Sequence, residues 1–155
     1  MTEPQWLDKM EARAWRGYLS MRNLLHAELA RGLVRNSGLS DADYEVLVDL
    51  SESECHRLRM HELASGLLWE RSRLSHHITR MQRRGLVDRE ECEADGRGAF
   101  VVLTPAGLVA IRQAAPAHVA EVREHLFEHL TQEQVRVLAE ISETVLRHLP
   151  GRPDD

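Results

Sequence analysis

The stretch from Trp69 to Gly107 constrains the fold more than any other part of the sequence. Its pattern predicts an amphipathic helix over Glu70 to Arg84, with Gly85 placed to end it. Two β-prone runs follow, Leu86 to Cys92 and Ala99 to Leu103, separated by an Asp-Gly turn. Thr104-Pro105 is typical of the start of another helix. The stretch therefore predicts a helix followed by a β-hairpin.

The same stretch is basic, although the chain as a whole is acidic. Positions 71 to 89 contain six arginines and one carboxylate, whereas the 155 residues have a formal net charge of −5. Solubility alone would not concentrate one sign of charge in one place, so a binding site for a polyanion is indicated. A helix followed by a β-ribbon fits a duplex groove and the backbone beside it. We therefore predict a winged helix-turn-helix DNA-binding protein.

Composition places the chain among ordinary globular proteins. A hydrophobic fraction of 43% supports a core, and no apolar run approaches the roughly 20 residues that a membrane helix needs. The N-terminus lacks the apolar segment of a signal peptide, so we expect a cytoplasmic protein with no membrane partner. Cys55 and Cys92 have no CxxC spacing, which fits a reducing compartment.

Amphipathic segments flank this central part on both sides. A first helix is predicted from about Glu3 to Val34, a second from Ser40 and a short third over Met60 to Leu67. After Pro105 a long helix should reach about Leu126, with a kink or break at Pro116, and Thr131 should cap a last helix. The stripe of the first helix contains Leu7, Met10, Ala14, Tyr18, Met21, Leu25 and Leu29, and that of the last helix contains Val135, Leu138, Ile141, Val145 and Leu149.

A monomer of this size has no partner large enough to cover both stripes. We therefore expect a homodimer in which the N- and C-terminal helices of two chains intertwine. The predicted fold is mainly α with a small β-hairpin wing. Residues 1–36 and 106–150 would form the helical dimerisation region, residues 37–105 the winged helix-turn-helix domain, and residues 151–155 a disordered tail.

From about Ser40 to Gly107 the sequence resembles the MarR family of bacterial transcriptional regulators. The residues that carry the resemblance are Leu39-Ser40, Tyr44, Leu47, Met60, Leu63-Ala64, Ser72, Leu74, Thr79-Arg80, Arg83-Arg84-Gly85-Leu86-Val87, Asp95-Gly96-Arg97-Gly98, Leu103-Thr104-Pro105 and Gly107. The resemblance implies a triangular homodimer with one winged helix-turn-helix in each lobe. It also implies repression that is relieved by a small ligand or an oxidant.

Candidate DNA contacts follow from this docking geometry. Side chains in the first turns of the recognition helix reach base edges, and arginine pairs well with guanine. These residues are Arg71, Ser72, Arg73, Ser75 and His76. Arg80, Arg83 and Arg84 are better placed for phosphates or internal ion pairs. Asp95 and Arg97 would form the wing tip, with Arg97 at the minor groove. The alternative is a solvated helix face with a pair such as Glu70–Arg73.

An effector site is expected between the dimer helices and the DNA-binding lobe, as the resemblance implies, for a small aromatic or anionic molecule. Its candidate residues are Trp15, Arg16, Tyr18, His26 and Tyr44, which could equally pack the dimer interface.

Neither a metal nor a cofactor is expected. His56, His61, His76 and His77 do not have the spacing of known zinc ligands, and no catalytic motif is present. A thiol- or metal-sensing regulator of the same fold and a helical protein-interaction module remain the alternatives.

Overall fold

The computed structural model describes residues 4–91 and 98–150, and all structural statements below concern these residues. They form six α-helices and three short strands. In chain order these are α1 (Lys9–Ser37), α2 (Asp41–Glu52), β1 (Arg57–Arg59), α3 (Met60–Gly66), α4 (Arg71–Arg83), β2 (Val87–Glu91), β3 (Ala99–Leu103), α5 (Pro105–His125) and α6 (Gln132–Leu146). None of the helices described is both long and apolar enough to cross a lipid bilayer.

The strands form one antiparallel sheet in the order β1-β3-β2. Val87 pairs with Leu103 in the predicted hairpin, and Arg57 pairs with Val102 at the other edge. The hairpin is confirmed, whereas β1 was not predicted. A three-residue strand with one apolar residue, Leu58, has no alternation long enough to recognise.

The core lies where α2, α3 and α4 meet the sheet. Its large, fully buried side chains are Val46, Leu47, Leu50, Leu63, Leu74, Ile78, Met81, Val87 and Val101. Burying each leucine, isoleucine, methionine or valine favours folding by roughly 1.5–3 kcal/mol. Because three of them belong to α4, this core fixes which face of α4 remains exposed.

The helices begin and end close to the positions predicted from the sequence, except at the start of α1. Ser40 and Thr131 cap α2 and α6 in reciprocal capping boxes, as expected. The expected start of α1 at Glu3 is wrong, because the helix begins at Lys9 behind an Asp8–Glu11 capping box. The apolar pattern continues through Trp6 and Leu7, but the cap satisfies the free backbone N–H groups and sets the boundary.

α5 runs unbroken from Pro105 to His125, so a break at Pro116 is not seen. Proline removes one backbone hydrogen bond, which would join position 116 to the carbonyl of Arg112. Pro116 and Arg112 are both exposed, so water can bind that carbonyl. Packing of α5 against α1 and α2 keeps the helix continuous.

Gly107, in the first turn of α5, allows this helix to approach the end of α4. A Cβ at this position would lie 2.0 Å from the backbone oxygen of Leu86. The Leu86 carbonyl also accepts hydrogen bonds from the Thr104 backbone N–H, at 3.2 Å, and from its hydroxyl, at 3.0 Å. The end of α4, the sheet and α5 are thus fixed at one point.

We predict that Gly107→Ala lowers the free energy of unfolding by about 1–3 kcal/mol, because backbone must move to admit the methyl group. Gly66→Ala is the matched control. Its Cβ would meet Asp49 at an ordinary 3.4 Å, and alanine favours helix over glycine. Urea unfolding should show the first variant destabilised and the second unchanged or stabilised. Equal stability of the two variants would contradict the close approach.

Candidate nucleic-acid interface

Helices α3 and α4 form the helix-turn-helix. They are joined by four residues, of which Leu68 adopts a left-handed conformation with φ 55°. Such a conformation costs roughly 1–2 kcal/mol for a residue with a side chain. The turn is held by a 2.9 Å hydrogen bond from the backbone N–H of Trp69 to the carbonyl of Ala64. This tight turn and the shared core position α4 relative to α3.

Opposite faces of α4 have different environments. Leu74, Ile78 and Met81 are fully buried, whereas Ser72, His76 and Arg83 lie at helical spacing on the opposite side and are exposed. Of the predicted DNA contacts, the structure places Arg71, Ser72, Arg73, His76, Arg80 and Arg83 on the surface and leaves Ser75 half-buried. Asp95 and Arg97 lie outside the described residues.

Two of the six arginines join α4 to other parts of the protein. Arg84 donates to Asp43 Oδ2 at 2.6 Å and to the Gly38 carbonyl at 3.2 Å. Arg89 donates to the Ser75 carbonyl at 2.6 Å and to the Thr79 hydroxyl at 3.1 Å. Of the two interpretations left open for Arg84, a phosphate contact or an internal pair, the structure shows the internal pair. These two arginines attach α4 to its surroundings.

Arg73 and Arg80 remain exposed but are held in place by neighbouring rings. The Arg73 guanidinium lies 4.1 Å from the centre of the Trp69 ring. Arg80 Nη2 lies 2.9 Å from His77 Nδ1, and the edge of the His77 ring meets Trp69 at 5.5 Å between centroids. Ordering these long side chains in advance reduces the entropy lost when they bind a ligand.

Arg71 and Arg83 have the most freedom of the six. Neither makes a hydrogen bond or ion pair within residues 4–91 and 98–150. Their charges are therefore not neutralised by described carboxylates. Glu70 makes no ion pair with Arg73 in this structure, which argues against a face made only of intrahelical pairs.

Asp43 lies at the centre of the contacts that join α2 to α4. The residue is 2% exposed, and its carboxylate accepts from the Ser40 backbone N–H at 2.9 Å and binds Arg84. His77 Nε2 lies 3.0 Å from Asp43 Oδ1, without the alignment of a full hydrogen bond. Burial alone would raise the pKa of Asp43. The contacts with His77, Arg84 and Ser40 instead hold the pKa well below its usual range.

A second basic feature lies on the sheet. The guanidinium groups of Arg57 and Arg59 stack on the Phe100 ring at 4.2 and 4.7 Å from its centre. Arg57 also pairs with Glu90 at 3.5 Å, across β3. Sequence reasoning missed this arrangement because it depends on the register of the unpredicted strand β1.

The five candidate effector residues do not come together. His26 and Tyr44 line a cleft of about 430 Å³ between α1, α2, α5 and the end of α3. Trp15, Arg16 and Tyr18 lie outside it on the N-terminal half of α1, where the Trp15 and Tyr18 rings stack at 5.8 Å. Within the described ranges, no three His, Cys, Asp or Glu side chains are grouped to hold a metal ion.

Known proteins share this arrangement of helices and strands. The model of the MarR family matches residues 37–98. The structure of AbsC, a MarR family transcriptional regulator from Streptomyces coelicolor, is 44% identical and superposes with a TM-score of 0.88, over 96% of this chain and 100% of AbsC. The chain belongs to the MarR family.

Two further relatives agree with this membership. Sco3205, a MarR family transcriptional regulator from Streptomyces coelicolor solved in complex with DNA, is 43% identical with a TM-score of 0.89, over 97% of this chain and 94% of that one. The HTH-type transcriptional regulator PrsX of Escherichia coli is 25% identical over 112 residues, 72% of this chain and 67% of its own. The predicted family and winged-helix fold are confirmed.

In this MarR-family chain, sequence reasoning missed Asp43, His77 and Trp69 as positioning residues. Helical spacing carried a usable signal for two of them. Asp43 precedes Val46 and Leu47 by three and four residues, and His77 follows Leu74 by three. A polar residue on an apolar stripe predicts a buried polar partner.

We predict that Asp43→Asn lowers the free energy of unfolding by about 1–3 kcal/mol near neutral pH, because Arg84 and His77 lose a charged partner. The pKa of Asp43 is depressed in the folded state. Its stabilisation is therefore present above the unfolded pKa of about 3.9 and is lost as the pH falls below it.

Urea unfolding at about pH 7 and about pH 3 should show that the wild-type advantage over Asp43→Asn shrinks in acid, since protonation removes the carboxylate. Glu54→Gln is the control, because Glu54 is exposed and has no described partner. A difference that does not change with pH would contradict the role given to the Asp43 charge.

Proposed function

We propose that this chain is a sequence-specific, double-stranded DNA-binding transcriptional regulator, a repressor that acts in the cytoplasm as a homodimer and responds to a small ligand. The observation that carries the proposal is the exposed face of α4. Free or pre-positioned arginines alternate there with small polar side chains, and the opposite face is anchored in the core. The DNA complex of Sco3205, which is 43% identical, supports this reading.

α4 is the proposed recognition helix. Its N-terminal residues Arg71, Ser72, Arg73, Ser75 and His76 would face base edges in the major groove, as in other helix-turn-helix proteins. Arg80 and Arg83, further along the helix, would bind phosphates, and the wing with Asp95 and Arg97 would reach the minor groove. Ser75 lies 3.2 Å from Arg89 Nη2, so its hydroxyl would read a base while remaining an acceptor for Arg89.

The accessible surface supports a dimer. The single chain exposes 11593 Å², whereas a compact monomer of 17.7 kDa exposes about 7,900 Å². A dimer interface would cover part of this excess, roughly 3,600 Å² for one chain, since obligate dimers bury about 2,000–5,000 Å² or more counted over both partners. No residue of α6 is buried, and Ile141 and Val145 are more than half exposed. On the other face of this helix Arg136 forms ion pairs with both Glu133 and Glu140.

A two-fold dimer would also present two copies of α4. Recognition helices related by a two-fold axis and one helical turn apart read a pseudo-palindromic site. Exposed apolar residues at the start of the chain, including Trp6, Leu7 and Met10, would be covered in the same assembly. An intertwined dimer would cover both of these apolar surfaces, the one on α6 and the one that includes Trp6.

We predict that Arg83→Ala weakens binding to duplex DNA at every sequence and reduces the slope of log affinity against log salt by about 1, because one phosphate contact is lost. Arg73→Ala should instead relax base preference at one position, with a cost of about 1–3 kcal/mol on the preferred site. Selection from a random duplex library, followed by fluorescence anisotropy at several salt concentrations, measures both effects.

Arg112→Ala is the control for this experiment. Arg112 is exposed on α5 and has no described partner, so its removal changes net charge equally without altering α4. Absence of any preferred duplex in the selection would refute specific DNA recognition. Equal effects of the Arg83 and Arg112 variants would refute the placement of Arg83 at phosphate.

We predict that the chain sediments at twice the monomer mass and that Ile141→Glu shifts this equilibrium towards monomer, because a buried charge would have no partner at the interface. Gln132→Glu, on the polar side of α6, adds the same charge and should leave the dimer intact. Analytical ultracentrifugation separates the outcomes, and a monomeric wild-type chain at micromolar concentration would overturn the dimer.

A further inference from the structure

The cleft beside α2 has the size and position of a small-molecule site. Its volume of about 430 Å³ falls within the range of ligand pockets, roughly 300–1,000 Å³. Leu29, Val48 and Leu67 provide apolar wall, and the polar groups come mainly from one edge of α2. None of the candidate DNA contacts on α4 lines the cleft.

The lining of the cleft is negatively charged. Asp41, Glu45 and Asp49 follow one another at intervals of four residues along α2, and neither arginine nor lysine is among the described lining residues. His26 Nε2 lies 3.6 Å from Asp41 Oδ2 at one end. An anionic ligand would meet three carboxylates here without a fixed cation to bind it.

Two carboxyl groups of the cleft have raised pKa values, which agrees with this excess of negative charge. Burial raises the pKa of Asp49, and the nearby charge of Glu52 raises it further. Burial and the Asp41 charge raise the pKa of Glu45, against smaller lowering effects of His26 and Arg73. Both carboxylates are therefore partly desolvated without full compensation, and a bound positive charge would stabilise them.

Two aromatic rings line the same cleft as the carboxylates. The Tyr44 and His118 rings are in contact, with 4.5 Å between centroids. His118 Nδ1 is buried and has no hydrogen-bond partner among the described residues. Aromatic faces beside carboxylates are the combination that binds organic ammonium ions, through cation–π attraction together with ion pairing.

We propose that this cleft binds an organic cation, an amine or quaternary ammonium that bears an aromatic ring. Its charge would lie among Asp41, Glu45 and Asp49, and its ring would lie against Tyr44 and His118. This inference rests on the function proposed above, because it makes the cation the ligand of a regulator. It keeps the aromatic ring of the effector that family resemblance implies but not the negative charge, because the carboxylates of the lining would repel an anion.

The route from the cleft to DNA is short. Helix α2 carries the cleft carboxylates on one face and Asp43 on the other, and Asp43 contacts Arg84 and His77 at the recognition helix. A cation that draws α2 towards α1 and α5 therefore changes the support of α4. Ligand binding and DNA binding would be coupled through this one helix.

The test uses the full chain without DNA and two pairs of probes of similar shape. Benzyltrimethylammonium and protonated 2-phenylethylamine are the cations, and phenylacetate and salicylate are the anions. Isothermal titration calorimetry and thermal shift should detect binding of the cations and at least about 10-fold weaker binding of the anions, the least that a lost charged contact costs. Equal affinities, or tighter binding of the anions, would overturn the proposal.

Variants then locate the site. The double variant Glu45→Gln, Asp49→Asn should reduce cation affinity at least about 10-fold. It should fold, because it removes repulsion between crowded carboxylates. Glu45→Lys, at a position on the exposed rim, should reverse the preference towards phenylacetate. Glu124→Gln, on the exposed surface of α5, should change nothing. Unaltered cation binding in the double variant would refute this cleft as the site.

Two further outcomes separate the proposal from its neighbours. Stabilisation by zinc alone, reversed by a chelator and absent with both organic cations, would overturn it in favour of a metal site. Binding of the cations at the cleft without any change in DNA affinity would support the site and its ligand class. That second result would refute only the ligand-responsive part of the proposed function.

Discussion

The buried carboxylate of Asp43 is the interaction on which the arrangement of the DNA-binding lobe depends. It receives the Ser40 backbone N–H at the start of α2, the Arg84 guanidinium at the end of α4 and a close contact from His77 in the middle of α4. A charge that is 2% exposed costs several kcal/mol unless it is fully compensated. Few relative positions of α2 and α4 supply that compensation, so the pair is fixed in direction as well as in distance.

The sequence predicted those helices and strands whose signals come from residues a few positions apart. The spacing of Leu74, Ile78 and Met81 specifies α4, Gly85 its end, and Thr104-Pro105 the start of α5 after the hairpin. Capping boxes were visible where a polar residue preceded an apolar stripe, as at Ser40 and Thr131. The sequence did not reveal Asp8 as the N-cap of α1, because apolar residues continue on its N-terminal side. An apolar stripe alone does not mark where a helix starts.

What sequence left unpredicted depends on contacts between distant residues. The stacking of Arg57 and Arg59 on Phe100 requires the register of β1 against β3, a separation of about 40 positions. Grouping Trp15, Arg16 and Tyr18 with His26 and Tyr44 required knowing where α1 passes α2, and the helix carries the first three away from the cleft. The sign of charge in the cleft was hidden for the same reason, since Asp41, Glu45 and Asp49 look like an ordinary solvated helix face.

The two faces of α2 explain how one short helix serves opposite chemical requirements. On its inner face Asp43 is compensated by hydrogen bonds and cations, which hold its pKa low and make it a rigid connection. On its outer face Asp49 is half-buried and Glu45 lies at the exposed rim of the cleft, both without equivalent partners, and desolvation together with nearby negative charge raises the pKa of each. A ligand shifts a conformational equilibrium by no more than the difference between its affinities for the two conformations. A cation gains binding energy only at the uncompensated carboxylates, so only that face of α2 can respond to its binding. The compensated charge of Asp43 thus fixes α2 to the recognition helix, and the uncompensated charges of Glu45 and Asp49 on the other face provide the proposed site for a cation.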